Sequence, residues 1–269
     1  MNASSTDSGP VWRASVATYN RVLFQHPQNE TPILALERKA SVMNDGTYWV
    51  HVRAQPFGGA VRILNPILLQ EILGEIQFDS ERSKREGDLR IMIAPSSWEP
   101  VKQYCLQHLE NTDDPDLESA PDRELTEEFE ETLQVNLKPG QYTVRPLGFV
   151  AENNPAPTQN ANVRGQPTVR LYRIFEVQIV DAALCSMMLA ASQRYSDEDL
   201  GKLALSNLQN GGKGRVNSII TLPLHQVTDS YLALAPETRF RKQRVKNHEL
   251  DESVLAVLGE VEVPQYERL

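Results

Sequence analysis

An alternating run of side chains past the middle of the chain constrains the fold more than any other feature. Between residues 168 and 180, apolar side chains recur at alternate positions. Alternation over this length is typical of a β-strand with one face in a core. The apolar set contains Val169, Leu171, Phe175, Val177 and Ile179, and the opposite set contains Arg170, Tyr172, Glu176 and Gln178. The sequence therefore predicts a long strand here, and with it a sheet.

A hairpin is predicted near the N-terminus, because residues 33–42 and 47–54 are β-rich and flank Asn44-Asp45-Gly46. Asp-Gly between two such runs is a strong hairpin signal. The proline and glycines of Gln55-Pro56-Phe57-Gly58-Gly59 are expected to end the second strand. Further strands are predicted at residues 89–94, 142–150 and 218–223, an exposed loop at 151–167, and helices at 66–76, 97–110, 119–135 and 251–258.

The order of these elements indicates the fold class. Strands outnumber helices and alternate with them irregularly, which is typical of an α+β fold rather than a doubly wound one. We therefore predict a mixed β-sheet packed by helices. We expect a flexible tail at residues 1–10 and a single domain at residues 11–269.

Composition narrows the class of protein. Of the 269 residues, 40% are hydrophobic and 23% are charged, so the chain can bury a core and wholesale disorder is disfavoured. The net charge of −9 repels phosphates and anionic lipids, so we expect no membrane partner and disfavour nucleic acid. Residues 174–191 are apolar but contain Glu176 and Asp181, which argues against a membrane span. The N-terminus lacks a signal segment, and we expect a cytoplasmic protein.

The most informative segment is the helix at residues 119–135, with Ser119 as its predicted cap and Pro121 in its first turn. Helical spacing places four carboxylates on one face, and an apolar stripe beside them. The carboxylates are Glu124, Glu127, Glu128 and Glu131, and the stripe is Leu125, Phe129 and Leu133. A divalent cation such as Mg²⁺ would relieve the repulsion among these acids. A solvated acidic face explains the same spacing, so both interpretations stay open.

The centre of this helix resembles the signature of the Nudix hydrolases. Arg123-Glu124-Leu125-Thr126-Glu127-Glu128 is similar to the Arg-Glu-apolar-x-Glu-Glu core of the Nudix box. Residues 52–59, which end in Gly58-Gly59, resemble the strand and glycine turn that precede the box. Residues 144–150, 168–180 and 221–227 resemble the strands that follow it, so the similarity in element order covers about residues 33–258. The resemblance implies a Nudix-like α/β/α sandwich.

Three departures from the box accompany the resemblance. The first glutamate of the box would fall at Pro115, and Glu118 is the nearest substitute. Glu130 and Glu131 replace the glycine and the aliphatic residue that end the box. The 63 residues between Gly59 and Arg123 exceed the spacing of the box, which indicates an insertion at about residues 60–119. We expect this insertion to be peripheral to the sheet.

The resemblance implies a Mg²⁺- or Mn²⁺-dependent hydrolase that cleaves a nucleoside diphosphate linked to another group. It implies that Glu124, Glu127 and Glu128 act as metal ligands or base, that Arg123 orients a carboxylate, and that Gly58 and Gly59 contact the substrate. A second hypothesis is a Nudix-like nucleotide-binding or regulatory module without catalysis, and a third is an unrelated α+β protein. The expected partner is a nucleotide-type small molecule, with a homodimer as an open alternative for assembly.

Weaker features carry blander interpretations. Residues 210–215 could cradle a phosphate, but a flexible loop is the simpler interpretation because the full Walker pattern is missing. Residues 239–246 carry five positive charges and favour a solvated or partner-facing segment. Cys105 and Cys185 match no metal or disulfide spacing and are expected to be small buried hydrophobes.

Overall fold

A computed structural model describes residues 10–44, 46–119, 121–158, 163–239 and 243–269. The strands are β1 Trp12–Gln25, β2 Pro32–Asn44, β3 Tyr48–Gln55, β4 Phe57–Ala60, β5 Arg62–Ile63, β6 Gln77–Phe78, β7 Arg90–Ile93, β8 Leu117–Glu118, β9 Tyr142–Pro157, β10 Pro167–Ile179, β11 Arg215–Pro223, β12 Gln243–Val245, β13 His248–Leu250 and β14 Glu267–Arg268. The α-helices are α1 Ile67–Leu73, α2 Glu81–Glu86, α3 Trp98–Leu109, α4 Pro121–Leu133, α5 Ala182–Ser192, α6 Asp197–Gln209, α7 Leu224–Leu232 and α8 Val254–Val257.

The strands form a mixed sheet that curls into a half-barrel and is packed by helices, so the predicted α+β class is confirmed. β1 is its centre. One edge of β1 pairs in parallel with β10, and the other edge pairs antiparallel with β7, β4 and β2 in turn. β11 flanks β2, and β9 and β14 extend the sheet beyond β10. The long alternating strand predicted at residues 168–180 is β10.

The predicted hairpin is present, because β2 and β3 pair antiparallel over residues 37–44 and 48–55. Asp45, at its turn, lies outside the described residues. The second strand ends at Gln55, inside the segment expected to end it, but the glycines do not stop the ladder. The chain changes partner at Pro56, leaves β2 and continues as β4 along β1. The proline has no N–H to donate to the ladder, which suits a change of partner.

The segment at residues 60–119 is integral to the sheet, and the expectation that it is peripheral is wrong. β7 pairs with β1 from Trp12 to Ser15, and β6 pairs with β7. Trp98, Val101 and Leu109 of α3 share one core cluster with Ala14 and Val16 of β1. The side chains of Arg13 and Asp79 form a 2.7 Å ion pair and are almost fully buried. The segment therefore supplies part of the core that covers β1.

A second core fixes α4. Leu125 and Phe129 are fully buried, and the ring of Phe129 lies 5.0 Å from that of Phe57 on β4. The same cluster takes in Val22 of β1 and Val177 of β10. Phe129→Ala would cost roughly 3–5 kcal/mol, the usual range for emptying a buried aromatic site. The predicted apolar stripe of this helix therefore packs on the sheet.

The other predicted strands and helices are right in type but differ in extent, and the exposed loop predicted at residues 151–167 is wrong for residues 151–157, which are part of β9. β9 continues to Pro157 through the predicted loop, since Ala151 and Glu152 pair with β10 and are buried. The helices α5 and α6 were not predicted. Asp181 caps α5, and Ser196 and Asp199 form a capping box for α6. Both cysteines are buried free thiols in the cores, as expected.

In the part of the chain that the structure describes, no helix is long and apolar enough to cross a membrane. The predicted tail lies almost wholly outside the described residues, as does the middle of the basic segment, residues 240–242. Gly214, in the glycine-rich loop, packs on Val42, and its N–H donates to the Asn207 side chain at 2.9 Å. That loop is therefore a structured turn between α6 and β11.

Candidate functional site

The two glycines predicted to bind substrate lie against the carboxylates of α4, although 64 residues lie between Gly58 and Arg123. The N–H of Gly58 donates to Glu128 at 2.6 Å. A Cβ on Gly59 would lie 2.5 Å from Oε2 of Glu124. The helix and the glycine strand therefore form one site, which is the arrangement that the proposed insertion required.

Both glycines are needed for this approach, for different reasons. Gly58 has φ of +141°, and a Cβ there would lie 2.1 Å from the carbonyl oxygen of Thr18. That obstacle is backbone and cannot rotate away. At Gly59 the obstacle is the mobile carboxylate of Glu124. Gly58 thus allows the strand to lie on β1, and Gly59 allows the carboxylate to reach the sheet.

Arg123 holds three carboxylates at the start of α4. It donates to Glu118 at 2.7 Å and to Glu127 at 3.0 Å, and it also pairs with Glu124. Burial lowers the pKa of Arg123, and the charges of these acids raise it by more. Glu118, the proposed substitute for the missing upstream glutamate, therefore contacts the arginine despite its different spacing. The predicted serine cap is wrong, since the hydroxyl of Ser119 has no partner among the described residues.

The carboxyl group of Glu128 lies in a crowded acidic pocket. Burial raises its pKa well above the usual range, and the charge of Glu37 adds to the effect, while Lys39 and the N–H of Gly58 oppose it. Burial likewise raises the pKa of Glu124, although Arg123 opposes the shift. Two carboxyl groups on one helix face are thus poised to take up a proton or a cation.

Glu37 on β2 adds a third acid that the sequence analysis missed. Its side chain is fully buried, and one oxygen accepts from Gln55 at 2.9 Å and pairs with Lys39 at 3.0 Å. The other oxygen is sealed from solvent and has no partner among the described residues. A buried carboxylate oxygen without a donor costs free energy unless a cation or proton supplies one. The signal in the sequence was the charged trio Glu37-Arg38-Lys39 inside an otherwise apolar strand.

The predicted four-carboxylate face is divided. Glu124 and Glu128 point at the glycine strand, whereas Glu127 is 58% exposed beside Arg123. Glu131 accepts from the side-chain amide of Asn217 on β11 at 3.1 Å. Among the described residues, no three of these acids bring their carboxylate oxygens within 4.8 Å of one another, so they do not form a tight three-ligand group. The donor set still fits Mg²⁺ or Mn²⁺, which take one or two carboxylates and complete their shell with water and phosphate.

A separate cluster joins the end of α3 to the loop before β8. Nδ1 of His108 lies 3.0 Å from Asp114 and 3.4 Å from Asp116, and Asn65 donates to Asp116 at 2.7 Å. Asp114 also accepts from the N–H groups of Asp116 and Leu117. These contacts fix the loop that leads to Glu118. Sequence reasoning missed the cluster because it searched for histidine pairs and not for a histidine near acids.

Polar side chains that sequence reasoning also missed lie on the same face of the sheet. Thr18 pairs in register with Gly59 on one side and with Arg173 on the other. Asn20 occupies the next position of this kind, between Phe57 and Phe175. Residues directly opposite on adjacent strands project to the same face. Thr18, Asn20 and Arg173 therefore lie on the face that carries the carboxylates of α4.

No family model, no curated protein and no solved structure matches the chain.

Proposed function

We propose that the chain is a hydrolase, dependent on Mg²⁺ or Mn²⁺, that cleaves a nucleoside diphosphate linked to another group. The observation that carries the proposal is the contact of Gly58 and Gly59 with Glu128 and Glu124. It brings the segment that resembles the centre of the Nudix box next to the glycines that resemble the turn before the box. The buried, unpartnered oxygen of Glu37 supports a ligand with positive charge at the same place.

The acidic residues have distinct roles in this proposal. Glu124 and Glu128 would hold the cation, and the more exposed Glu127 would complete the set of ligands. The bound cation would neutralise the diphosphate and activate water. Water adds to one phosphorus, the P–O bond of the phosphoanhydride breaks, and two phosphomonoesters leave. Glu128 is placed to accept the water proton when it is not a ligand, because burial raises its pKa and so increases its affinity for a proton.

Arg123 and Glu118 position this machinery. Arg123 contacts Glu124 and Glu127 directly, so it limits the rotamers that both carboxylates adopt. A pre-oriented set of ligands loses less side-chain entropy when the cation binds. We propose a cytoplasmic site of action, which the two free thiols favour.

A second candidate is a nucleotide-binding module without catalysis. One observation favours it, namely that the carboxylates of α4 do not converge as a tight metal site does. The first candidate predicts that the ligand is cleaved, and the second predicts that the same ligand is bound without cleavage, so a single assay separates them.

The test is a screen of ADP-ribose, NAD, dinucleoside polyphosphates and nucleoside triphosphates with Mg²⁺ and Mn²⁺. We expect the wild type to release two phosphomonoesters from at least one compound. Glu128→Gln should abolish release, and Glu131→Gln, the matched change on the same helix, should not. Tight binding without cleavage would establish the module instead. If the wild type neither binds nor cleaves any of these compounds, both proposals are overturned.

A further inference from the structure

The strongest unexplained feature is the buried cation at Arg173. Its residue exposure is 7%, and no carboxylate among the described residues pairs with it. The guanidinium carbon lies 4.4 Å from the ring centre of Phe149 and 5.0 Å from that of Phe175. The aromatic contacts stabilise a cation only modestly compared with the cost of burying it.

One acid acts on the charge of Arg173 without forming an ion pair with it. Burial lowers the pKa of Arg173, and only the charge of Glu110, exposed at the end of α3, raises it. Other buried arginines of the chain form ion pairs with acids. Arg13 pairs with Asp79, and Arg170 pairs with Glu152 at 2.6 Å. The fold therefore pairs its structural arginines with acids and leaves Arg173 without one.

Unpartnered polar groups lie on the same face of the sheet as this arginine. The hydroxyl of Thr18 and both amide atoms of Asn20 are sealed from solvent and have no partner among the described residues. The Nε of Arg173 is in the same condition, whereas its two terminal nitrogens are not among the sealed, unpartnered atoms of the described residues. A donor-rich group of this kind is costly in an empty site and favourable around an anion.

The position of the group relative to α4 indicates which anion it takes. Gly59, Thr18 and Arg173 are successive register partners across β4, β1 and β10. Adjacent strands lie about 5 Å apart, so Gly59 and Arg173 are separated by roughly 10 Å of sheet. Glu124 stands over the Gly59 end of this row. A phosphate chain held by a cation at one end would reach the guanidinium at the other.

We infer that Arg173, with Thr18 and Asn20, forms an anion-binding subsite for the phosphate chain of the ligand. The subsite lies on the same face of the sheet as the carboxylates of α4, at the other end of the row of paired residues. The inference rests on the proposed function only where it treats the bound phosphate chain as part of a substrate. Recognition of the anion itself requires neither catalysis nor a divalent cation.

The test measures inorganic pyrophosphate binding to the full chain in EDTA by thermal shift and calorimetry. We expect pyrophosphate to raise the melting temperature of the wild type. Arg173→Met should weaken binding roughly tenfold to a hundredfold, the range for losing hydrogen bonds to a charged group. The same change at Arg145, an exposed arginine that pairs with Glu176 on the surface, is the control and should bind like the wild type.

Stability distinguishes a binding role from a structural one. Without ligand, Arg173→Met should melt at the same or a higher temperature than the wild type, because it removes an uncompensated buried charge. Thr18→Val, which removes an unpartnered hydroxyl at constant shape, should behave likewise. Unchanged pyrophosphate affinity in Arg173→Met, or marked destabilisation of that variant without ligand, would overturn the inference.

The outcomes also separate this inference from the proposed function. Pyrophosphate binding through Arg173 with no hydrolysis of any compound would sustain the subsite and reject the enzyme. Hydrolysis with the same KM in Arg173→Met as in the wild type would sustain the enzyme and reject the subsite. If the subsite and the enzyme activity are both present, Arg173→Met should lose catalytic efficiency mainly through a higher KM, because the subsite binds a part of the ligand remote from the cation.

Discussion

Adjacent glycines with different obstacles offer a sharp test of the site. In Gly59→Ala the new Cβ would lie 2.5 Å from Oε2 of Glu124 and 2.8 Å from its Cδ. An ordinary contact is about 3.4 Å, so the carboxylate must retreat by about 0.9 Å. The obstacle is the end of a side chain, and the φ of Gly59 is open to any residue. We therefore expect a change in unfolding free energy of only about 1 kcal/mol or less.

The same 0.9 Å shift should be severe for function. Mg²⁺ tolerates little departure from oxygen distances of about 2.0–2.1 Å, and misplacement of a catalytic group by about 1 Å costs on the order of a hundredfold in rate. Gly58→Ala is the matched contrast. Its Cβ would lie 2.1 Å from a backbone oxygen at φ of +141°, so we expect a loss of at least roughly 2–3 kcal/mol in stability.

The assay pairs urea denaturation of both variants with Mg²⁺-dependent thermal shift. Binding of Mg²⁺ at a hundred times its Kd adds about 2.7 kcal/mol to wild-type stability, or about 5–10 °C for a chain of this size. Gly59→Ala should keep the metal-free melting temperature and lose most of this increment. A Gly59→Ala protein that unfolds like Gly58→Ala, or one that keeps the full Mg²⁺ response, would refute the reasoning.

Three further predictions follow from ionised groups. Because the pKa of Glu128 is raised, its stabilising effect is present below the unfolded pKa, near 4.3, and is lost as pH rises through the folded value. Glu128→Gln without metal should therefore gain stability over the wild type as pH increases, as measured by urea midpoints. Asp79→Ala should cost about 3–5 kcal/mol in urea unfolding by leaving Arg13 buried and unpaired. A cost near zero would contradict integration of residues 60–119. The pKa of Asp114 lies below its usual value: burial raises this pKa, but hydrogen bonds from backbone N–H groups and from His108 lower it by more. That contribution is present above about pH 4 and is lost as pH falls through the folded pKa, so Asp114→Asn should flatten the acid limb of the stability profile.

Local periodicity predicted the parts of the site that lie on single elements. Alternation indicated β10, and helical spacing indicated the buried stripe of Leu125 and Phe129. The glycine strand could also be linked to α4, but only through the resemblance of two distant motifs. Nothing local indicated that β4 would pair with β1, because that pairing depends on where the chain leaves β2 at Pro56.

The sequence was less informative where burial overrides composition. Thr18, Asn20 and Arg173 lie in strands, and only the register of β4, β1 and β10 brings them onto one face. The length of the segment at residues 60–119 indicates an insertion outside the sheet, yet Arg13 and Asp79 bury an ion pair between this segment and β1. Long-range pairing of this kind leaves no periodic signal in the chain.

The central claim is that the glycine side of α4 binds a divalent cation, and Mn²⁺ binding followed by electron paramagnetic resonance tests it most directly. The signal of free aqueous Mn²⁺ falls as the ion binds, with no need to know the substrate. We predict that the wild type and Glu131→Gln bind Mn²⁺ equally, while Glu128→Gln and Glu124→Gln bind it at least about tenfold more weakly. A wild type that leaves the Mn²⁺ signal unchanged, or a Glu128→Gln variant that binds as well as Glu131→Gln, would contradict the claim.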